Sequence, residues 1–207
     1  MKILKFSLGS MQTNCYLVYD EETKECLVID PADECGAIER RLNEHELKLK
    51  TIVLTHVHFD HMLALEELRK DTGAPLAVGE EDAPALLNPD LSMMRTFAGV
   101  NFPCKPAEIL LREGDTLTVG KSELKVLHTP GHTLGSLCLL TDDILISGDT
   151  LFLETIGRHD FYGGDYASLL ASLKRLTAIE GDRKVYPGHG ACTTLSHERE
   201  YNVFLQQ

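Results

Sequence analysis

The nine residues KLKTIVLTH, Lys48 to His56, constrain the fold more than any other stretch of this chain. Their apolar centre is continuous rather than alternating, the pattern of a strand buried on both faces. Such a strand needs cover on either side. Residues 36–47, GAIERRLNEHEL, space Ile38, Leu42 and Leu47 roughly helically. Residues 62–72, MLALEELRKDT, set Leu63, Leu65 and Leu68 among charges before Gly73 stops the helix. A helix on each side of a buried strand argues for α/β layering.

Elsewhere the text reads as strands broken by turns. KILKFSLG, TNCYLVYD and CLVIDP, with the charged turn EETKE, form an antiparallel meander. PLAVG, EILLREG, DTLTVGKSELKVLHTPG with a turn at Gly120, and SLCLLTDDILISGDT with a turn at Asp142 and Asp143 add further strands. YASLLASLKRL, residues 166–176, is an amphipathic helix, followed by the strand KVYPGH and a closing helix expected around SHEREYNVFL. No linker, repeat or low-complexity segment interrupts the 207 residues, so one domain over 1–207 is expected, with 43% hydrophobic content to fill its core. Residues 88–106 break the pattern. They carry Pro89, Pro103 and Pro106 with Met93, Met94, Phe97 and Phe102 but no period, which fits a pocket-covering flap or an anchored surface excursion equally.

Twenty basic residues against 32 acidic ones give a net charge of -12, which would repel a phosphate backbone, so no nucleic-acid partner is expected. The opening MKILKFSLGSMQTNCYLVYD holds no sustained apolar core with a small-residue cleavage site, and no apolar run is long enough to span a bilayer. A soluble, cytoplasmic protein with no membrane partner is expected. The six cysteines form no C-x-x-C pair, which argues against a zinc ribbon or redox dithiol and for buried, reduced thiols.

Where the buried strand ends, THVHFDHM packs three histidines and an aspartate into six positions. His56 and His58, two apart on extended chain, face the same way and can share one ion, whereas Asp60 and His61 fall where the chain turns and can serve a second. A lone histidine is ordinarily a surface or hydrogen-bonded residue; this density is not ordinary. Ligand types recur in Gly-containing turns after apolar segments: His132 in TPGHTLGS, Asp149 in SGDTLF and His189 in YPGHG. Gly131, Gly148 and Gly188 precede them, as expected where the backbone turns sharply to aim a side chain.

THVHFDH, TPGHTLGS, SGDTLF and YPGHG, in that order, resemble the ligand motifs of the metallo-β-lactamase superfamily. MQTNCYLVYD, GDTLFLETIGRHDFYGGD and GHGACTTLSHEREYNVFL are similar to its glyoxalase II-like branch, the compact hydroxyacylglutathione hydrolase-like proteins of bacteria. The resemblance implies a four-layer αβ/βα sandwich, two mostly antiparallel or mixed sheets face to face with helices outside and a metal centre at one edge. It implies that His56, His58 and His132 bind one metal, that Asp60, His61 and His189 bind a second, and that Asp149 bridges them. Two divalent metal ions are thus expected, with zinc foremost and iron or manganese equally compatible with imidazole and carboxylate. His45, His128, His159 and His197 match no motif and read as structural or surface residues.

Two adjacent cations can lower the pKa of a shared water to about 7, and Asp60 would orient that nucleophile as well as bind metal. A small-molecule thioester suits such a site because its thiol leaving group, with a pKa near 8.5, needs little protonation. The implied activity is hydrolysis of thioesters of the hydroxyacylglutathione type. Arg158, in TIGRHD, occupies a basic position of the family and is expected to bind a substrate carboxylate, with Gly157 permitting a close approach. The chain departs from the long glyoxalase II form at Ala191, where that form has tyrosine, and ends soon after GHG without the helical region that contacts glutathione there, so the thiol half is open. The alternatives are hydrolysis of another ester, a lactone or a phosphodiester, and a non-catalytic metal-binding protein. A β-lactamase is disfavoured because that activity usually places cysteine where this chain has Asp149. A nuclease is disfavoured by the acidic balance.

Overall fold

The computed structural model describes residues 1–101 and 103–206. Two six-stranded sheets carry the fold. The first runs β1 (Lys2–Leu8), β2 (Thr13–Tyr19), β3 (Glu25–Ile29), β4 (Lys48–Val53), β5 (Leu76–Gly79) and β6 (Ile109–Leu111) in that order. Its first three strands form the expected antiparallel meander, and β3 to β6 are parallel, with α1 (Cys35–Glu44) and α2 (Leu65–Thr72) as crossovers. Two short helices, α3 (Ala83–Leu86) and α4 (Met94–Ala98), follow β5.

The second sheet contains β7 (Thr116–Val119), β8 (Ser122–His128), β9 (Leu137–Leu140) and β10 (Ile144–Gly148) as an antiparallel ladder. After the small hairpin β11 (Leu151–Phe152) and β12 (Thr155–Ile156) and helix α5 (Tyr166–Thr177), β13 (Lys184–Pro187) pairs parallel to β10, and β14 (Thr193–Thr194) leads into α6 (Leu195–Tyr201). Both sheets are mixed.

Three apolar layers separate four layers of structure, and the period of two along each central strand assigns its residues to them. In β2, which is buried throughout, Cys15, Leu17 and Tyr19 face the layer under α1 and α2, while Tyr16 and Val18 face the opposite sheet. In β10, Ile144 and Ile146 face that same inter-sheet layer, and Leu145 turns to Leu169, Leu173 and Leu176 of α5. Those three leucines recur every turn of a helix whose Asp165 cap accepts from Ser168 N at 2.7 Å. The αβ/βα sandwich expected from the sequence is therefore present. Among the described residues no helix is long and apolar enough to cross a membrane.

Three expectations need correction. The helix expected from residue 62 begins at Leu65, because Met62 stands at a non-helical φ of -141°, and the Leu63 and Ala64 N–H groups ahead of the helix donate to Ala32 O and Pro31 O. The closing helix breaks at Asn202, whose side chain accepts from Phe204 N and donates to Thr155 O. Residues 88–106 are not wholly irregular: they include α4, and Met94 and Cys104 anchor them in the core. Phe102 lies outside the described residues. Five of the cysteines are buried thiols and Cys192 is half-buried, none in a disulfide.

Candidate metal centre

The seven expected ligands meet at one pole of the sandwich. Each sits just beyond the end of a strand: His56 and His58 after β4, Asp60 and His61 in a 3-10 turn at Phe59–His61, His132 between β8 and β9, Asp149 after β10 and His189 after β13. Backbone bonds draw these ends together across the two sheets. Leu137 N donates to Thr55 O at 2.8 Å, Asn14 N donates to Gly188 O at 2.7 Å, and Thr13 makes an isolated bridge to His189.

His56, His58 and His132 form one group and Asp60, His61 and His189 another, the donor atoms of each lying within 4.8 Å of one another. Asp149 stands between the groups. Its carboxylate is 3.4 Å from His61 Nε2, 3.6 Å from His132 Nε2 and 3.5 Å from His189 Nε2. His58 Nε2, His61 Nε2 and Asp149 Oδ1 are buried without a hydrogen-bond partner among the described residues. Orphaned polar atoms cost about 1–3 kcal/mol each, and three of them converging from ligand side chains is what cations would satisfy. The donor set fits divalent metal.

Electrostatics agree with that fit. Burial, reinforced by neighbouring imidazoles, holds His56 well below its ordinary pKa and lowers His58 to about 3, so both offer neutral lone pairs. Burial also pushes His61 down, but Asp149, Asp30 and Asp60 outweigh it and leave His61 raised. Burial opposes ionisation of Asp149, yet His61 and the other imidazoles lower it to about 2. Asp60 is likewise lowered by His61 and His189 against the cost of its burial. Both carboxylates are anionic at neutral pH.

Residues the sequence analysis gave no role orient the ligands. Asp30, buried at a left-handed φ of 53° after β3, accepts from Thr55 N and Thr55 Oγ1 at 2.8 Å and lies 3.0 Å from His61 Nδ1, turning His61 Nε2 inward. Thr13 Oγ1 donates to Asp60 Oδ2 at 2.9 Å. Asp82, buried at the end of the turn after β5, accepts from Val57 N, Thr133 Oγ1 and Gly135 N at 3.3, 2.8 and 2.7 Å, tying the His56–His58 segment to the His132 loop. An aspartate after an apolar strand, as in CLVIDP, was the available signal for Asp30; nothing local marks Thr13 or Asp82.

The glycines before the ligands serve two ends. Gly148 adopts φ +48° as expected, whereas Gly188 is required for space: a Cβ there would lie 2.1 Å from Asp149 Oδ1. At Gly157 the close neighbour is Asp149 O, 1.8 Å from where a Cβ would stand, so the tight approach is to the metal-centre backbone rather than to a ligand. Arg158 O accepts from His132 Nδ1 at 2.6 Å, which leaves His132 Nε2 to face the centre. The Arg158 guanidinium is exposed, paired with Asp160 at 2.8 Å and set 3.6 Å from the Phe161 ring centroid. His45, His128, His159 and His197 lie away from the cluster; His128 Nε2 faces Leu134 O and His197 Nε2 faces Glu154.

The centre opens into a cavity of about 460 Å³ walled by Met11, Phe59, Met93, Phe97, Phe152, Phe161 and Arg158. Residues 88–106 thus do contribute to the pocket, through Met93 and Phe97.

Comparison with known proteins places the chain. Residues 8–189 match the model of the metallo-beta-lactamase superfamily. The probable metallo-hydrolase YqgX of Bacillus subtilis (strain 168) is 34% identical over 99% of this chain and 98% of its own. The hydroxyacylglutathione hydrolase GloC of Haemophilus influenzae (strain ATCC 51907 / DSM 11121 / KW20 / Rd) is 32% identical over 99% and 98%. Among solved structures, the BLEG-1 B3 metallo-beta-lactamase aligns with a TM-score of 0.93 and 34% identity over 100% of both chains. TTHA1623, solved in a di-iron-bound form, aligns with a TM-score of 0.86 and 35% identity over 98% of this chain and 100% of its own.

Proposed function

Because the chain belongs to the metallo-beta-lactamase superfamily and carries a metallo-hydrolase site, we propose that it hydrolyses thioesters, of the hydroxyacylglutathione type. One observation carries the thioester reading. Among the described residues lining the cavity, every titratable side chain except Arg158 belongs to the proposed ligand set. No separate acid is at hand to protonate a leaving group, which suits a thiol of pKa about 8.5 far better than an alcohol or amine. The 32% identity to GloC over nearly the whole chain points the same way.

In this reading His56, His58 and His132 would hold one divalent cation and Asp60, His61 and His189 a second, with the Asp149 carboxylate available to both. When bound, such a pair supplies an activated water at neutral pH and polarises the acyl carbonyl. The ionised Asp60, fixed by Thr13, accepts a hydrogen bond from the attacking water and keeps its lone pair aimed at the carbonyl carbon. The aromatic walls offer apolar surface beside the centre, and Arg158 offers a guanidinium to a substrate carboxylate in competition with Asp160. Zinc and iron both suit the donors, and the relative TTHA1623 in its di-iron-bound form keeps iron in view.

β-Lactam cleavage is the second reading, favoured by the full-length likeness to BLEG-1 and opposed by Asp149 and by the missing acid. Turnover by zinc- and iron-loaded protein of S-lactoylglutathione, its oxygen-ester counterpart and a β-lactam separates them. The thioester should exceed the oxygen ester by about a hundredfold in kcat/KM, the advantage of a leaving group that needs no acid. A faster oxygen ester or β-lactam overturns the thioesterase reading.

A further inference from the structure

The aromatic side chains beside the metal centre form a continuous wall rather than scattered neighbours. Phe161 stands edge-on to His58, with ring centroids 5.9 Å apart. Phe59, the residue after His58, stacks on Phe97 at 5.1 Å with only 13° between planes, and Phe97 lies 6.4 Å from Phe161. The wall therefore starts at a proposed ligand and runs outward to Phe97, which is 57% exposed. Met11 faces the same cavity from the β1–β2 turn and is 54% exposed.

A single exposed apolar residue needs no explanation, but a stacked aromatic surface leading from a reactive centre to solvent leaves apolar area for a ligand to cover. Its support is firm. Helix α4 starts after Met93 at φ 62° and stops at Gly99 at φ 69°, with Met93 and Met94 buried beneath it. Phe97 is thus fixed over Phe59 by an anchored turn. Among the described residues lining the cavity Arg158 is the one lysine or arginine; its guanidinium lies 3.6 Å from the Phe161 ring centroid and is already paired with Asp160. Beyond that charge, the wall gives an apolar chain or ring three aromatic side chains to lie against.

We propose that Phe59, Phe97 and Phe161 form a subsite for an apolar arm of the substrate, with Phe97 as the specificity-determining residue. Resting on the hydrolase reading of the same cavity, this extends the proposed thioester substrates to ones that carry an extended aliphatic or aryl substituent.

The test is binding, independent of turnover. Two non-cleavable thioethers share a carboxymethyl head, one carrying a methyl and the other a 3-phenylpropyl arm, and calorimetry measures each with metal-free and zinc-loaded protein. The long arm should bind at least about tenfold tighter in both forms. Phe97→Ala should erase most of that advantage with the thermal midpoint unchanged, and Phe97→Leu should keep part of it. Equal affinities for the two arms in the wild-type protein, or equal losses on both in Phe97→Ala, overturn the subsite. Arm-dependent binding without turnover of any thioester keeps the subsite and sinks the thioesterase reading; turnover of thioesters without arm-dependent binding does the reverse.

Discussion

The two halves of the metal centre are braced by different means. His56, His58 and His132 are three imidazoles whose segments Asp82 ties together, gripping Val57 N between the first two and Thr133 Oγ1 and Gly135 N beside the third. Neutral partners, Thr55 Oγ1 and Arg158 O, meet the outer nitrogens of His56 and His132. Asp60 and His61 are held side chain to side chain, by Thr13 and Asp30. A backbone brace fixes where a ligand stands and leaves its basicity alone. A carboxylate on the far nitrogen of an imidazole does both, raising the electron density that the inner nitrogen offers a cation. The half that also bears the Asp60 charge is therefore the stronger cation trap, and the all-imidazole half depends more on geometry.

The most damaging change should be one that strikes both halves at once. Asp149→Ala is expected to abolish binding of the metal pair, measured as metal per chain by emission spectrometry, and to cut kcat/KM by about a thousandfold or more. Near-wild-type turnover with two metals bound would remove Asp149 from the centre. Gly188→Ala should mimic this loss, since its methyl collides with the Asp149 carboxylate.

Asp60→Asn keeps the shape of the second half but removes its charge. Activity should fall through kcat by about a hundredfold while KM moves little. A change confined to KM would make Asp60 a pocket residue and not a nucleophile-orienting one.

The braces sharpen the comparison further. Asp30→Asn should weaken one cation by about 10–100-fold and leave the other tightly held, read as two phases in a chelator titration. Asp82→Asn should do the same to the opposite half. With cobalt as a probe, the two variants should lose different sets of paramagnetically shifted imidazole signals. If both lose the same set, the halves are not separately braced. The smallest effect is expected at Arg158→Ala, whose guanidinium is exposed and already paired: a three- to tenfold rise in KM, roughly, for substrates with a carboxylate, none for those without, and kcat unchanged.

The difference in bracing also explains what could be read from the chain. The cluster of seven proposed ligands was legible because each lies in a short motif whose residue types and spacing have few other uses, as in THVHFDH and PGH. The strands were legible too: the unbroken apolar centre of β4 and the apolar run of TNCYLVYD in β2 mark them from sequence, whereas the sorting of β2 between two layers came only with the structure. Asp82 and Thr13 were not legible, since their partners lie 51 and 47 residues away: the packing of one sheet on the other brings Asp82 to Thr133, and the strand order of the first sheet brings Thr13 to Asp60. Helix α4 was hidden for a different reason. Five residues flanked by prolines are too few to show a period, and its register is set by Met94 in the core and not by its own sequence.

The stitching of Asn14 to Gly188 and of Thr13 to His189 has a consequence for how the protein comes into being. These contacts join segments separated by about 174 residues, so on the ribosome the last ligand emerges long after the first four have been synthesised. Until β13 docks beside β10, the group of Asp60 and His61 lacks His189, whereas His56, His58 and His132 need no residue from β13 onward. Capture of the second of the proposed cations would then be coupled to the final docking step of folding, and a nascent chain stalled before Pro187 should hold that cation weakly however well its first sheet has formed.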